Sequence, residues 1–360
     1  MGSDDSLVVD SSKSLRSALQ SIKHPQQKPL FTVLSAILLL ALLHLFADVT
    51  WTKRLGHSVY FISGEESDVS IECKRKLDAL DRVNDERRAA RFRTAKQAKN
   101  AGKNVYDMFW KIPVSDNGSS DREERNRRNM IFDLFEPEAV CLTEERFGGS
   151  SDERFVAYGD GPKFVCGVDF LRESYKTKEQ NCLVYSVGSN NNILFEKAVK
   201  NYIGCEIHTF DPTLRNPFVG YDYADFHPWG LGKQGEKVKV KKLNVEFTTQ
   251  SVENVMKQLE HTGRKIDIFK IDCEGCEYEA MPPVFEAMAK GTLQIDQLLI
   301  EMHAYVSYDE MTEFFAAADK AGFRITHKER NGWGCNGWGC VEYAFVSRSF
   351  LRRATASAIC

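Results

Sequence analysis

The sequence predicts an α/β domain with a mostly parallel sheet in the C-terminal half of the chain, set behind an apolar segment and a charged stem. Three observations predict it. From Cys182 onward, short apolar runs alternate with helical stretches, the pattern of a parallel sheet with helices on both faces. Polar loop residues fall directly after these runs, where sheets of this kind bind ligands. Upstream, one uncharged apolar run gives way to a stretch crowded with charge.

Composition sets the bounds. The 360 residues allow one or two domains plus extensions. A hydrophobic content of 42% with 11% aromatics is enough for a sizeable core, and a net charge of −3 gives no global drive toward nucleic acid, so none is expected as a partner. Ten cysteines, an even count spread through the folded region, fit an oxidising compartment, although composition alone leaves disulfides and free thiols both open.

Residues 1–29 form a tail with Lys13, Arg16, Lys23 and Lys28, which favours a cytoplasmic N-terminus. Residues 30–47, LFTVLSAILLLALLHLFA, carry no Asp, Glu, Lys or Arg. As a helix they span roughly 27 Å, near the thickness of a thin bilayer. The preceding segment is too long for a cleaved signal peptide. The expectation is a single-pass type II anchor with the C-terminal α/β domain in the Golgi or endoplasmic reticulum lumen. Residues 48–130 read as a solvated stem, with Leu77, Leu80 and Val83 as the thin stripe of a poorly buried helix. Asn117-Gly118-Ser119 is a glycosylation sequon if this stem is lumenal. Residues 131–181 are read as an N-terminal extension of the α/β domain, in which Cys141 and Cys166 are one of several pairings.

The domain itself runs over 182–348, followed by a tail at 349–360. Strands are predicted at Leu183–Val187, Glu206–Phe210, Ile266–Ile271, Leu298–Met302, Phe323–His327 and Tyr343–Val346. Helices are predicted at Ile193–Asn201, Val252–His261, Pro283–Ala289 and Tyr308–Ala321. After the first strand, Gly188-Ser189-Asn190 leads into a helix: the glycine permits close approach of a ligand and the helix start offers free N–H groups. One glycine followed by polar side chains suits a zwitterionic amino-acid tail better than a diphosphate, which calls for G-x-G-x-x-G. After the second strand, Asp211 stands where a nucleoside-binding sheet places its ribose carboxylate. After the third come Asp272 and Glu274. The fourth ends in Glu301-Met302-His303, and His303 is the natural candidate for a general base because imidazole titrates near neutrality. Asp272, Glu301 and His303 are also a weak metal set; no metal is expected.

The segments VYSVGSNNNILFE, CEIHTFDPT, HPWGLG, IDIFKIDCEGCEYE and LLIEMH together resemble the FkbM-type methyltransferases, and more narrowly the methyltransferase-like protein 24 group. Cys141–Gly148 and Asp160–Cys166 resemble that group's domain opening. The resemblance, over about 132–348, implies a Rossmann-like class I methyltransferase fold, with a seven-stranded sheet whose last strand is antiparallel, and S-adenosylmethionine as the cofactor. It implies Gly188, Ser189 and Asn190 on the methionine side and Asp211 at the ribose. His227, Trp229 and Gly230 would lie near the adenine, and Asp272 would serve both cofactor and transfer site. His303, Glu274 and Asp272 become the catalytic candidates for O-methylation of a hydroxyl, with a glycan, a glycoprotein or a small secreted molecule as acceptor. In line with the activated methyl, the protein's task is alignment and removal of the acceptor proton.

Cys273-x-x-Cys276 reads as small packing residues or a local disulfide. The tandem NGWGC at Asn331–Cys335 and Asn336–Cys340 reads as a hairpin loop, with Trp333 and Trp338 able to stack on a flat acceptor. Other readings are a catalytically silent ligand-binding module, a cytosol-facing protein or lipid methyltransferase, and a nicotinamide oxidoreductase, the last disfavoured by the missing G-x-G-x-x-G.

Overall fold

A computed structural model describes residues 71–101, 132–149, 159–176, 181–214, 221–304, 306–333, 335 and 339–360. The expected tail and anchor, the Asn117 sequon and Trp338 lie outside the described residues. Among the described residues, no helix is long and apolar enough to cross a membrane.

In chain order the elements are α1 (Ile71–Ala101), β1 (Glu144–Phe147), β2 (Lys163–Cys166), α2 (Val168–Tyr175), β3 (Leu183–Val187), α3 (Leu194–Tyr202) and β4 (Glu206–Phe210). Then follow β5 (Asp225–His227), β6 (Gly230–Leu231), β7 (Lys237–Val240), β8 (Val245–Gln250), α4 (Val252–Gln258), β9 (Ile266–Ile271) and α5 (Glu277–Ala289). The chain closes with β10 (Ile295–His303), α6 (Tyr308–Lys320), β11 (Phe323–Arg330), β12 (Cys340–Ser347) and α7 (Arg348–Ile359).

Seven strands form the main sheet in the order β11-β12-β10-β9-β3-β4-β5. β3, β4, β5, β9 and β10 pair in parallel, whereas β12 runs antiparallel to both β10 and β11. This is the Rossmann-like class I methyltransferase sheet. The central strands β3, β9, β10 and β12 are buried along their whole length because both faces are covered. Leu183, Tyr185 and Val187 enter one core cluster while Val184, between them, enters the other. β3, β4 and β9 match their predicted bounds. β5 does not announce itself in sequence, since it is short and reads Asp-Phe-His. After it, β6, β8 and β7 form a separate three-stranded sheet.

α5 begins at Glu277, ahead of the Pro283 start read from sequence, and carries both Pro282 and Pro283 inside it. Proline marks a first turn on average, but here the buried Glu277 carboxylate accepts the Gly275 N–H at 2.8 Å and holds the earlier start. α6 opens with a Ser307–Glu310 capping box.

The two ends of the described chain differ from expectation. The stem segment holds α1, whose buried residues are Cys73, Leu77, Asn84 and Arg91, while Val83 is exposed. The face that packs is chosen by pairing rather than by apolarity. Arg91 meets Glu138, Arg88 meets Asp319, Arg352 reaches Asp78 and Asp81, and Cys73 is bonded to Cys360. The C-terminal tail is the helix α7, with Phe350, Leu351 and Ala354 buried. All ten cysteines are paired: Cys73–Cys360, Cys141–Cys166, Cys182–Cys205, Cys273–Cys276 and Cys335–Cys340.

Candidate active site at the carboxyl ends of the strands

Gly188 follows β3 with φ +75°, and a Cβ built there would lie 1.6 Å from the Asp272 carbonyl oxygen. The loop after β3 is therefore seated directly on the turn after β9. Backbone bonds reinforce this: Gly188 N–H donates to Phe210 O at 2.9 Å and Asp272 N–H to Val187 O at 3.0 Å. Lys270 Nζ donates to Gly188 O at 2.6 Å. Asn190 and Asn191 both take left-handed backbone, φ 44° and 62°, which asparagine tolerates better than other side chains. Asp211 pins the loop from the other side. One carboxylate oxygen accepts Ser189 N–H (3.1 Å) and Asn190 N–H (2.9 Å), and the other accepts the N–H and hydroxyl of Thr213. The ribose carboxylate expected from sequence is thus also the fastener of the methionine loop, and a ribose diol would share oxygens already engaged. The Ser189 hydroxyl and the Asn191 side-chain carbonyl are buried without a hydrogen-bond partner among the described residues. Buried polar atoms of that kind await a ligand or water, and they fit the zwitterionic tail of S-adenosylmethionine.

At the outer edge, half-buried Trp229 and His227 stack beside Phe210, with the His227 and Trp229 rings 4.6 Å apart. Gly230 is buried in β6, where a Cβ would meet the Phe247 ring at 2.3 Å.

The turn after β9 carries the acids. Asp272 accepts from Lys163 Nζ at 3.1 Å, and the same ammonium donates to Glu342 at 2.6 Å. Burial opposes the charge on Asp272, but Lys163 and Lys270 outweigh it and hold the carboxyl well below its usual range. Lys163 is pushed up because Asp272 and Glu342 outweigh burial. Glu301 is pushed up to about 9 by burial and by the neighbouring Asp272 and Glu342 charges. Glu342 rises to about 7, mainly through burial. Asn331 Nδ2 donates to Glu301 at 2.6 Å and ties in Asp160 at 2.7 Å. Asp272 and Glu301 therefore come together as expected. Lys163 and Glu342 complete the cluster unannounced, although a lone lysine in the apolar run PKFVC and a lone glutamate in VEYAFV were signals.

His303 ends β10 fully buried. Its backbone N–H and Nδ1 both meet Glu277 Oε1 at 3.0 Å, and Nε2 lies 3.3 Å from Glu274 and 3.6 Å from Glu301. Burial disfavours its charged form, yet the Glu277 bond and the Glu301 and Glu274 charges prevail, and its pKa rises to about 9. The imidazole expected as a general base thus carries a proton near neutrality and is turned away from solvent. Glu274, its partner, has a 72% exposed side chain and a left-handed backbone, φ 58°. Strain of that sort persists where the surroundings impose it.

A cleft of about 220 Å³ lined by Arg146, Asp160, Asn331, Trp333 and Glu342 adjoins this cluster through Glu342. Trp333 is 70% exposed in the connection between β11 and β12.

A family model described as "Methyltransferase domain" (Methyltransf_22) matches residues 91–347. The probable methyltransferase-like protein 24 of Homo sapiens is 24% identical over 146 residues, 40% of this chain and 38% of that protein. Its counterpart from Rattus norvegicus is 27% identical over 177 residues, 45% of this chain and 44% of that protein. The match spans less than half the length of either relative. A solved METTL16 MTase domain aligns with 8% identity and a TM-score of 0.31, covering 50% of this chain and 65% of that one. The chain belongs to this methyltransferase-domain family, whose methyl donor is S-adenosylmethionine.

Proposed function

From that family membership, we propose that the chain O-methylates a hydroxyl-bearing acceptor, a glycan or a glycoprotein, on the lumenal side of a secretory-pathway membrane. The observation that carries this reading is the Glu277–His303–Glu274 array next to Asp272. It puts an exposed carboxylate, backed by a fixed imidazolium, at the strand ends where the cofactor loop is seated.

S-adenosylmethionine supplies a methyl group already activated on a positive sulfonium. The chain's residues do the rest. The loop of Gly188, Ser189 and Asn190 would hold the methionine end, Asp211, which orders that loop, would stand beside the ribose, and His227 with Trp229 would offer an aromatic edge to the adenine. Glu274 receives the acceptor proton, and the His303 imidazolium, anchored by Glu277, fixes the orientation of Glu274. Asp272, held ionised beside Lys163, would set a carboxylate near the positive donor. Alignment of the two reactants would contribute the remaining acceleration.

Trp333 beside the polar cleft supports a sugar-like acceptor, since an indole face stacks on a pyranose. Complete pairing of the cysteines supports a secretory compartment, because disulfides persist only under oxidising conditions. The apolar run at 30–47 is the proposed anchor.

The test is calorimetric titration of the 360-residue chain, purified in mild detergent under oxidising conditions, with S-adenosylmethionine and with an Asp211→Ala control. Saturable binding that the control weakens, followed by methyl transfer to a hydroxyl of a glycan panel, is the expected result. Cofactor binding with transfer only to amines or thiols overturns the O-methylation reading. Absence of binding by a folded sample overturns the enzyme reading in favour of a silent module.

A further inference from the structure

A second cluster of metal-ligating side chains lies on β4 and the loop after α4, on residues to which the transfer reaction gives no role. Glu206 opens β4, His208 follows two residues on and therefore projects from the same face, and His261 comes from the loop after α4. His208 Nε2 and His261 Nε2 each lie 3.1 Å from the same atom, Glu206 Oε1. The three ligand atoms are within 4.8 Å of one another. For comparison, bonds of about 2.0–2.2 Å in tetrahedral geometry place ligand atoms roughly 3.3–3.5 Å apart.

The outward-facing atoms of all three groups are held as well. His208 Nδ1 meets His227 Nε2 at 2.9 Å, His261 Nδ1 meets the Tyr185 hydroxyl at 2.8 Å, and Glu206 Oε2 accepts from Arg264 at 2.8 Å. Each ligand thus presents one atom inward while a second residue fixes the other, the arrangement that orients imidazoles and carboxylates on a metal. With its proton on Nδ1, donated to His227 Nε2 from His208 and to the Tyr185 oxygen from His261, each ring presents an Nε2 lone pair to the site. The two histidine side chains are 8% and 6% exposed and that of Glu206 is 33% exposed, so the site is dry on the protein side and open to solvent on one.

We propose that Glu206, His208 and His261 bind one divalent transition-metal ion of the zinc class, with water as the fourth ligand. Two imidazoles and a carboxylate favour such an ion over calcium or magnesium, which take oxygen ligands. The ion ties the loop after α4 to β4. Through His208 and His227 it also stiffens the aromatic edge at Trp229.

The test uses the full chain, stripped with chelator and dialysed, then titrated with Zn2+ by calorimetry and with Co2+ by visible absorption. The expected result is one ion per chain, Co2+ ligand-field bands, and a Tm raised by Zn2+ but not by Mg2+. Glu206→Ala, which alters a solvent-facing side chain, should weaken Zn2+ by more than about 100-fold. Tyr185→Phe, which removes only the support of His261, should weaken it by about 10- to 100-fold. Circular dichroism checks that both variants are folded, and Asp272→Asn should leave the affinity unchanged. No stoichiometric binding by the folded wild type, or binding that survives Glu206→Ala, or binding lost in Asp272→Asn instead, overturns the proposal.

Discussion

Gly188 sits so close to Asp272 that the Asp272 carbonyl oxygen occupies the space a side chain on Gly188 would need. Two segments far apart in the chain thereby become one surface, the cofactor loop on one side and the acidic turn on the other.

Gly188→Ala should be among the most damaging single-methyl additions in the domain. The left-handed backbone alone costs about 1–3 kcal/mol for a side-chain-bearing residue, and the clash with backbone adds to it. Thermal unfolding should show a clear loss of Tm, and calorimetry should show S-adenosylmethionine affinity falling with it. An unchanged Tm and affinity would mean that the two loops are not locked together.

Glu274 and Glu277 flank the same imidazole but should behave differently. Glu274 is exposed, so Glu274→Gln should leave Tm and cofactor affinity near wild type while lowering kcat by about 10²- to 10⁴-fold. Glu277 is buried and carries the Gly275 and His303 bonds, so Glu277→Gln should lower Tm first. Equal effects on Tm from both variants would contradict this division.

Stability should fall from neutral to alkaline pH. His303 rises from 6.5 to about 9 on folding, so its contribution is complete below 6.5 and disappears as pH passes about 9. Glu301 rises from 4.5 to about 9 and Glu342 from 4.5 to about 7. A folded form that prefers the proton is weakened as the proton leaves, so both carry the same sign. Asp272, shifted downward, acts in the opposite sense and only in acid. Tm measured from pH 6 to pH 9.5 should decline, and Glu301→Gln should flatten part of that decline. A Tm that rises over this range would contradict the assignment.

α1 should behave as part of the domain. Arg91→Ala leaves the buried Glu138 carboxylate without its partner, a change that costs about 3–5 kcal/mol in comparable pairs. Cys360→Ser opens the Cys73–Cys360 bridge and should cost about 2–5 kcal/mol. Hydrogen exchange should show α1 losing protection in both variants, and retained protection would mean that other contacts hold it.

Much of the fold was legible because local pattern and burial agree in it. β3, β4 and β9 are buried almost throughout and rich in apolar and β-branched residues, so their bounds can be read directly even though β4 and β9 carry buried polar side chains such as His208 and Lys270. Loop residues follow such strands by topology, and this is why the positions of Gly188, Asp211 and Asp272 beyond the strand ends could be read in advance, whereas His303, read as a general base, is buried behind Glu274. Ends and small additions were less legible. α1 and α7 look like a stem and a tail because their apolar stripes are thin and charge pairs and a disulfide supply much of what holds them. β5 is three residues long and partly polar, too short for any alternation to register.

The sequence by itself determined the long buried strands of the main sheet and the residues that follow them in the chain, since both follow from strand burial and connection order. Only the tertiary structure decided how those residues are charged. Lys163 lies 109 residues from Asp272 and 179 from Glu342, yet its ammonium bridges them. His303 becomes a proton-holding support because Glu277 and Glu274 meet it across a buried turn. Protonation depends on burial and on charges a few ångströms away in space, and distance along the chain carries neither.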